Sequence, residues 1–415
     1  MTTAAHCPVH ATISKLLEQR ILILDGAMGT MIQRHKPTEA DYRGSHFKNH
    51  HKDLKGNNEL LVLTRPDIIQ TIHEQYLEAG ADIIETNTFN ANALSQGDYD
   101  LVSEVTALNL AAAKVARAAV DTFNARTPNR PRFVAGAVGP TPRTLSISPD
   151  VNDPSKRSVT FDQVCGAYVE QIRALMDGGV DLLLPETVFD TLNLKACIVA
   201  LETVFSEKGR RLPVMLSVTM TDKSGRTLSG QTLEAFWVTV QHARPLSVGI
   251  NCALGAREMR PFMEELSNLA PDVFVSCYPN AGLPNPLVDG GYDEKPDTTG
   301  ALLKDFAHAG MVNILGGCCG TTPDHIAAVA RAVEGLPPRK LKEIANPLTQ
   351  YAGLEAFTLR PDANFSMVGE RTNITGSAKF AELIKKNDYQ AATSVALEQV
   401  RGGANILDVN MDEAM

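Results

Sequence analysis

Seven cysteines punctuate this 415-residue chain, and three of them stand where chemistry can be built. Cys318 and Cys319 adjoin in Asn313-Ile-Leu-Gly-Gly-Cys-Cys-Gly320, and Cys252 sits in Val248-Gly-Ile-Asn-Cys-Ala-Leu-Gly255. Each motif begins as a short apolar run, so both place their thiols at the end of a strand. Three thiolates form a soft donor set of the kind that holds tetrahedral zinc with a fourth position open. Glycines at 316, 317 and 320 let the backbone turn tightly enough for adjacent side chains to reach one ion. An ion already carrying three thiolates is a poor Lewis acid toward water and a better host for a fourth sulfur. A free thiol, with a pKa of roughly 8.5, is mostly protonated at neutral pH, whereas a coordinated one is not. The chemistry indicated is activation of a substrate thiol as a nucleophile for alkyl transfer. Against it stand two plainer readings, buried core thiols and a redox-active vicinal pair.

The other cysteines carry less. Cys165 and Cys197 fall inside helical patterns and read as core, while Cys277 follows a strand and competes for a place on the same rim. His6, Cys7 and His10 have the look of a metal tract, but a frayed N-terminus is the expectation there. His50 and His51 read as loop residues.

Acidic residues end other strands. Asp25 follows one in Leu24-Asp-Gly-Ala-Met-Gly-Thr30, Glu186 another in Leu184-Pro-Glu-Thr187, and Glu85 a third in Ile84-Glu-Thr-Asn87. Carboxylates on a shared rim can bind a substrate ammonium group, and backbone N–H groups at Gly26 and Ala27 can receive its carboxylate. Helix capping and rim salt bridges are the alternatives, and the sequence does not separate Glu85 from Glu186.

These residues share a frame. Strand patterns recur at 21–24, 82–86, 133–138, 181–184, 214–218, 248–251, 273–276 and 312–315. Helical patterns lie between them, among them 65–79, 103–122, 161–177, 190–205 and 323–333. Near-continuous apolar strands alternating with helices imply a parallel sheet covered on both faces. Eight units predict an α/β fold of the (β/α)₈ TIM-barrel type, with active-site loops at the C-terminal ends of the strands. A doubly wound open sheet competes, but no strand is followed by GxGxxG. Long Pro-, Gly- and Asn-rich loops at 33–61, 139–159 and 279–299 are placed to wall the site.

Composition narrows the class. Hydrophobic residues are 44% and charged residues 21%, ordinary values for a globular enzyme. With 39 basic and 48 acidic side chains the net charge is −9, which argues against nucleic-acid binding. No run approaches a membrane span or signal core, and free thiols point to the cytoplasm.

Residues 338–364 are broken by prolines and read as a linker after a barrel at 1–337. A new strand–helix–strand pattern occupies 365–415, with FSMVGE and ANILDVN as strands and 378–402 largely helical. Two strands and a helix cannot bury an independent core, so this segment reads as the truncated start of a second β/α barrel.

Taken together, DGAMGT, ETNTF, NCALG and GGCCG resemble the homocysteine-binding barrel of the cobalamin-dependent methionine synthase family. VGERTNITGSAKF and GANILDVNMDE resemble the beginning of that family's methyltetrahydrofolate-binding barrel. GGCCG alone indicates only the wider homocysteine methyltransferase group. The resemblance implies methylation of zinc-bound homocysteine to methionine, with methylcobalamin as donor and methyltetrahydrofolate as its source. It implies Cys252, Cys318 and Cys319 as catalytic zinc ligands, and Asp25, Gly26, Ala27 and Glu186 as contacts to homocysteine. It places Glu370, Asn373, Asp408 and Asn410 on the pterin side of the folate site. It also implies a cobalamin-binding partner module that this chain, ending at Met415, lacks. A cobalamin-independent methyltransferase using betaine or S-methylmethionine is the nearest rival, and a non-catalytic metal- or redox-sensing barrel a more distant one.

Overall fold

The computed structural model describes residues 5–287, 291–344 and 347–412. Among them, eight parallel strands close into a barrel: β1 (Leu22–Ile23), β2 (Ile83–Glu85), β3 (Phe133–Val138), β4 (Leu182–Pro185), β5 (Met215–Val218), β6 (Ser247–Gly255), β7 (Phe274–Asn280) and β8 (Ile314–Leu315). The ladder runs β2–β3–β4 and β5–β6–β7–β8–β1. Parallel bridges Leu24 to Ile83 and Leu183 to Val214 join the two runs into a ring. A helix follows every strand, from Pro66–Glu78 after β1 to Pro323–Val333 after β8. This is the expected (β/α)₈ fold.

The period of two along each strand explains why the runs are apolar throughout. Leu22, Leu24, Ile83, Leu182, Leu184 and Ile314 point into the barrel and form one buried cluster. Their neighbours Ile23, Ile84, Leu183 and Leu315 point outward into a second cluster under the helices. Both faces are dry, as a parallel sheet with crossover helices requires.

Residues 5–19, expected to fray, are ordered. Ala5–His6 pairs in parallel with Arg210–Arg211, and helix Pro8–Gln19 sends Ile13 and Leu17, both fully buried, into the inward-facing cluster. The apolar spacing of that helix outweighs the loop-like composition before it.

The long 33–61 loop is also partly helical. Helix Met28–His35 runs into it, Glu39–Arg43 follows behind a Thr38–Asp41 capping box, and Asn58–Leu60 makes a 3₁₀ turn. The proline-broken linker contains a pair of short strands, Gln350–Ala352 and Ala356–Thr358.

The chain packs as two units, Met1–Ala345 with Ala352–Ala356, and Asn346–Tyr351 with Phe357–Met415. In the second, β9 (Val368–Asn373) and β10 (Ile406–Asn410) pair in parallel. The helical stretch between them is two helices, Ala378–Lys385 and Tyr389–Arg401. Asn387 in the left-handed region and the Asp388 cap make the break. Phe380, Ala392 and Val395 are the only residues of this unit's buried cluster among those described. No described helix is long and apolar enough to cross a membrane.

Candidate functional site

The three thiols meet at the C-terminal rim of the barrel. The sulfurs of Cys252, Cys318 and Cys319 all lie within 4.8 Å of one another, and Cys252 Sγ is 3.8 Å from Cys319 Sγ. Such a cluster can hold a metal ion.

Cys252 arrives there through an irregular strand. β6 loses register against β7 between Asn251 and Gly255. Within the irregularity Cys252 and Ala253 both take left-handed backbone, at φ 59° and 58°. Two successive L-residues in that region cost about 1–3 kcal/mol each, and strain of this kind collects at functional sites. It turns the strand so that Cys252 faces the β8 end.

Cys318 and Cys319 are held by their neighbours. Cys318 N–H donates to Pro279 O at 2.8 Å, Ala281 N–H donates to Cys319 O at 2.9 Å, and Thr321 Oγ1 donates to Cys318 O at 2.6 Å. Of the three flanking glycines only Gly320 has a positive φ, 81°. Gly316 and Gly317 are required by space instead. A Cβ on Gly316 would lie 2.7 Å from Leu24 Cβ, and one on Gly317 would lie 2.5 Å from the Thr321 side chain.

The thiols are electrostatically interlocked. Hydrogen bonds from Cys252 and Cys318 hold Cys319 down to about 3. Its hydrogen bonds to Cys252 and Cys319, with burial, push Cys318 well above the ordinary thiol range. Cys252 is lowered by its bond to Cys318 but raised more by Cys319 and burial, and ends at about 11. One thiolate suppresses the next, so a cation is what would allow all three to ionise together.

A carboxyl group ends each of three nearby strands. Asp25 and Glu186 are buried, and Asp25 Oδ2 accepts the Glu85 N–H at 3.0 Å. Glu85 and Glu186 act on each other electrostatically, so the structure brings together the two glutamates between which the sequence could not choose. Burial pushes all three carboxyl groups up, Glu85 to about 7. Gly26 is wedged against Thr321 and the Tyr76 ring, with only 2.8–2.9 Å for a Cβ. Ala27 N–H reaches Thr321 Oγ1 at 3.2 Å. Beyond it lie the first N–H groups of helix Met28–His35, which have no intrahelical acceptor.

Sequence reasoning passed over the residues that tie these parts together. Asn251, fully buried, accepts from Thr187 N at 3.1 Å and Ser217 Oγ at 2.6 Å and donates to Thr187 Oγ1 at 2.8 Å. It thereby fixes Thr187, which follows Glu186 in left-handed backbone. Tyr76 OH donates to Ala27 O and Thr321 O, both at 3.2 Å, linking the loops after β1 and β8. Tyr292 acts electrostatically on Cys319 and lies against Gly320. Asn280, at the end of β7, has a buried side-chain oxygen with no partner among the described residues. A polar residue closing an apolar strand was the available signal for Asn251 and Asn280, but nothing local marked Tyr292.

Other candidates lie elsewhere. Cys277 is buried in the outer cluster, donating to Met259 Sδ at 3.5 Å, and does not join the sulfur group. Cys197 is buried and Cys165 half-buried, both in helices. His50 Nε2 lies 2.8 Å from Tyr99 O, and His51 pairs with Asp100 at 2.9 Å. In the second unit Asn373 Nδ2 donates to Asp408 Oδ2 at 2.8 Å, and Asn373 stands opposite Asn410 in the ladder. Glu370 lies on the same strand as Asn373, exposed.

Comparison with known proteins agrees with this layout. The homocysteine S-methyltransferase family model matches residues 22–333, and the pterin-binding enzyme model matches residues 369–415. The chain is similar to the homocysteine methyltransferase MmuM from Escherichia coli in its metallated form, with 23% identity and a TM-score of 0.60 over 78% of this chain and 99% of that one. The oxidised form of the same protein matches at 22% identity and TM-score 0.60, over 79% and 99%. At that identity the likeness is one of fold.

Proposed function

The chain belongs to the homocysteine S-methyltransferase family and is a methyltransferase, and from that premise we propose that it is the homocysteine-activating part of a cobalamin-dependent methionine synthase. The observation that carries the reading is the meeting of three cysteine sulfurs, Cys319 lying 67 residues along the chain from Cys252, beside buried carboxyl groups. The donor set suits zinc, which when bound would supply the positive charge that keeps a substrate thiol ionised. In the proposed arrangement Cys252, Cys318 and Cys319 are the protein ligands, and residues 1–337 form the homocysteine barrel.

The chain's own residues then orient the amino acid. Asp25 and Glu186 hold the ammonium group, and the backbone about Gly26 and Ala27, with the helix start behind it, receives the carboxylate. Asn251 and Tyr76 keep these parts in place. Residues 365–415, which carry the pterin-binding match, supply Glu370, Asn373, Asp408 and Asn410 toward a methyltetrahydrofolate site. That match favours methylcobalamin, remethylated from folate on a partner module, over betaine or S-methylmethionine as donor. Seven free cysteines suit the cytoplasm.

The test is homocysteine methylation by the zinc-loaded chain with methylcobalamin, betaine and S-methylmethionine supplied separately, alongside metal analysis of C252S and C319S. Turnover with methylcobalamin, and loss of both zinc and turnover in the variants, is the expected result. Turnover confined to betaine or S-methylmethionine, or full zinc content in both variants, would refute the proposal.

A further inference from the structure

The loops after β7 and β8 are tied to each other by a closed run of hydrogen bonds. Ala281 N–H donates to Cys319 O at 2.9 Å, and Glu294 N–H donates to Ala281 O at 3.3 Å. His325 Nε2 lies 2.9 Å from Glu294 O. Thr322, three residues after Cys319, closes the run by presenting its N–H and hydroxyl to His325 Nδ1 at 3.3 and 3.0 Å. An N–H only donates and a carbonyl oxygen only accepts, so Nδ1 is the acceptor and Nε2 carries the ring proton. His325 is 7% exposed and stands in the first turn of helix Pro323–Val333. Both ring nitrogens are taken up by the fold, so the part of this side chain is to hold rather than to react.

What it holds is the segment that carries Tyr292. That residue pairs with Pro284 across the loop and stands two positions before Glu294. Its Cβ, Cγ and Cδ2 come within 2.4–2.7 Å of the point where a Cβ on Gly320 would lie, so the side chain rests on the backbone next to Cys319. Any side chain at Gly320 would take the place of the ring. The three thiols also act electrostatically on the Tyr292 hydroxyl.

We infer that His325 is a positioning residue which, through Glu294, keeps the Tyr292 ring on Gly320 as a fixed wall beside Cys319, shielding that flank of the metal cluster from water and competing ligands. The inference rests on the zinc reading above and adds two residues that donate nothing to the ion. Water kept from that flank leaves the attraction between a cation and a bound thiolate less screened.

Glutamine and asparagine separate the two halves of the imidazole. Gln places an amide nitrogen about where Nε2 lies and can still donate to Glu294 O, but it offers Thr322 nothing at the Nδ1 position. Asn places its oxygen about where Nδ1 lies and keeps Thr322 partnered, but it does not reach Glu294.

The test mixes the zinc-loaded chain with an excess of a chromogenic chelator, pyridylazoresorcinol, and follows zinc release from wild type, H325Q, H325N, Y292A and the double variant H325N/Y292A. Zinc content at the start should be equal in all of them. H325N should release zinc about five- to tenfold faster, the factor carried by one lost hydrogen bond, and H325Q at close to the wild-type rate. Y292A changes a half-buried position away from the helix cap and should release zinc at least as fast as H325N. The double variant should be no faster than Y292A, since both changes remove one wall. A helix-capping role alone predicts the reverse order, H325Q fast and H325N slow. That order would overturn the inference, as would additive effects of H325N and Y292A or a wild-type rate in Y292A, and each of these leaves zinc binding by the three cysteines standing. A wild-type chain that takes up no zinc would instead bring down the zinc reading and the inference with it.

Discussion

Replacing Asn251 with alanine separates the role of the framework from that of the sulfurs. The side chain is fully buried and makes three hydrogen bonds of 3.1 Å or less, with Thr187 N, Ser217 Oγ and Thr187 Oγ1, and one long contact from Nδ2 to Cys318 Sγ at 4.0 Å. Alanine leaves the Thr187 N–H and the Ser217 hydroxyl without this partner, at about 1–3 kcal/mol for each group left unsatisfied. The hydroxyl can rotate to another acceptor and the amide cannot, so a net loss of about 2–4 kcal/mol is expected. Thr187 would also lose what holds it in left-handed backbone beside Glu186, so homocysteine binding should weaken while the three sulfurs keep their ion. Denaturant unfolding, zinc content and homocysteine affinity measured on one preparation provide the assay. S217A, which removes one of the three bonds, serves as the milder comparison at about 1 kcal/mol. A loss under about 1 kcal/mol in N251A, or zinc lost in step with homocysteine affinity, would refute the reasoning.

Two further predictions concern stability. His73 is fully buried with neither ring nitrogen partnered among the described residues, and burial lowers it from 6.5 to about 4. Between those values the unfolded chain takes up a proton that the native chain refuses, so stability should fall as pH drops from 6.5 toward 4, by about 3 kcal/mol in all. His73→Leu should flatten that fall and raise stability at neutral pH by about 1–3 kcal/mol, read from denaturant midpoints on both sides of the window. Gly316→Ala should cost about 1–3 kcal/mol and weaken zinc binding, because the new Cβ forces β8 away from β1. Gly166→Ala, inside helix Phe161–Gly178 with nothing within 4 Å of its Cβ, should instead gain about 0.5–1 kcal/mol.

Period and composition found all eight barrel strands, six of them within a residue or two at both ends, because a strand dry on both faces must be apolar along its length, whereas β6 and β7 run four residues past their expected ends. The same property hid the closing of the ring, which depends on register between β8 and β1 across almost the entire chain. At the site, the cysteines were legible because their type is rare and strand ends share a rim. The left-handed Cys252–Ala253 pair was not, since no glycine or asparagine at either position announces it. Asn251 stood in a motif already noted, but its partners Thr187 and Ser217 belong to other parts of the barrel, and only folding brings them to it. The helical pieces within 33–61 and the strands within the linker were missed for a related reason. Short elements draw their stability from the surface they lie on rather than from their own pattern.

The foot of the barrel, closed by Ile13 and Leu17, has a bearing on access at the opposite end. With that end stoppered, whatever reaches the three sulfurs must come in over the strand ends that carry them.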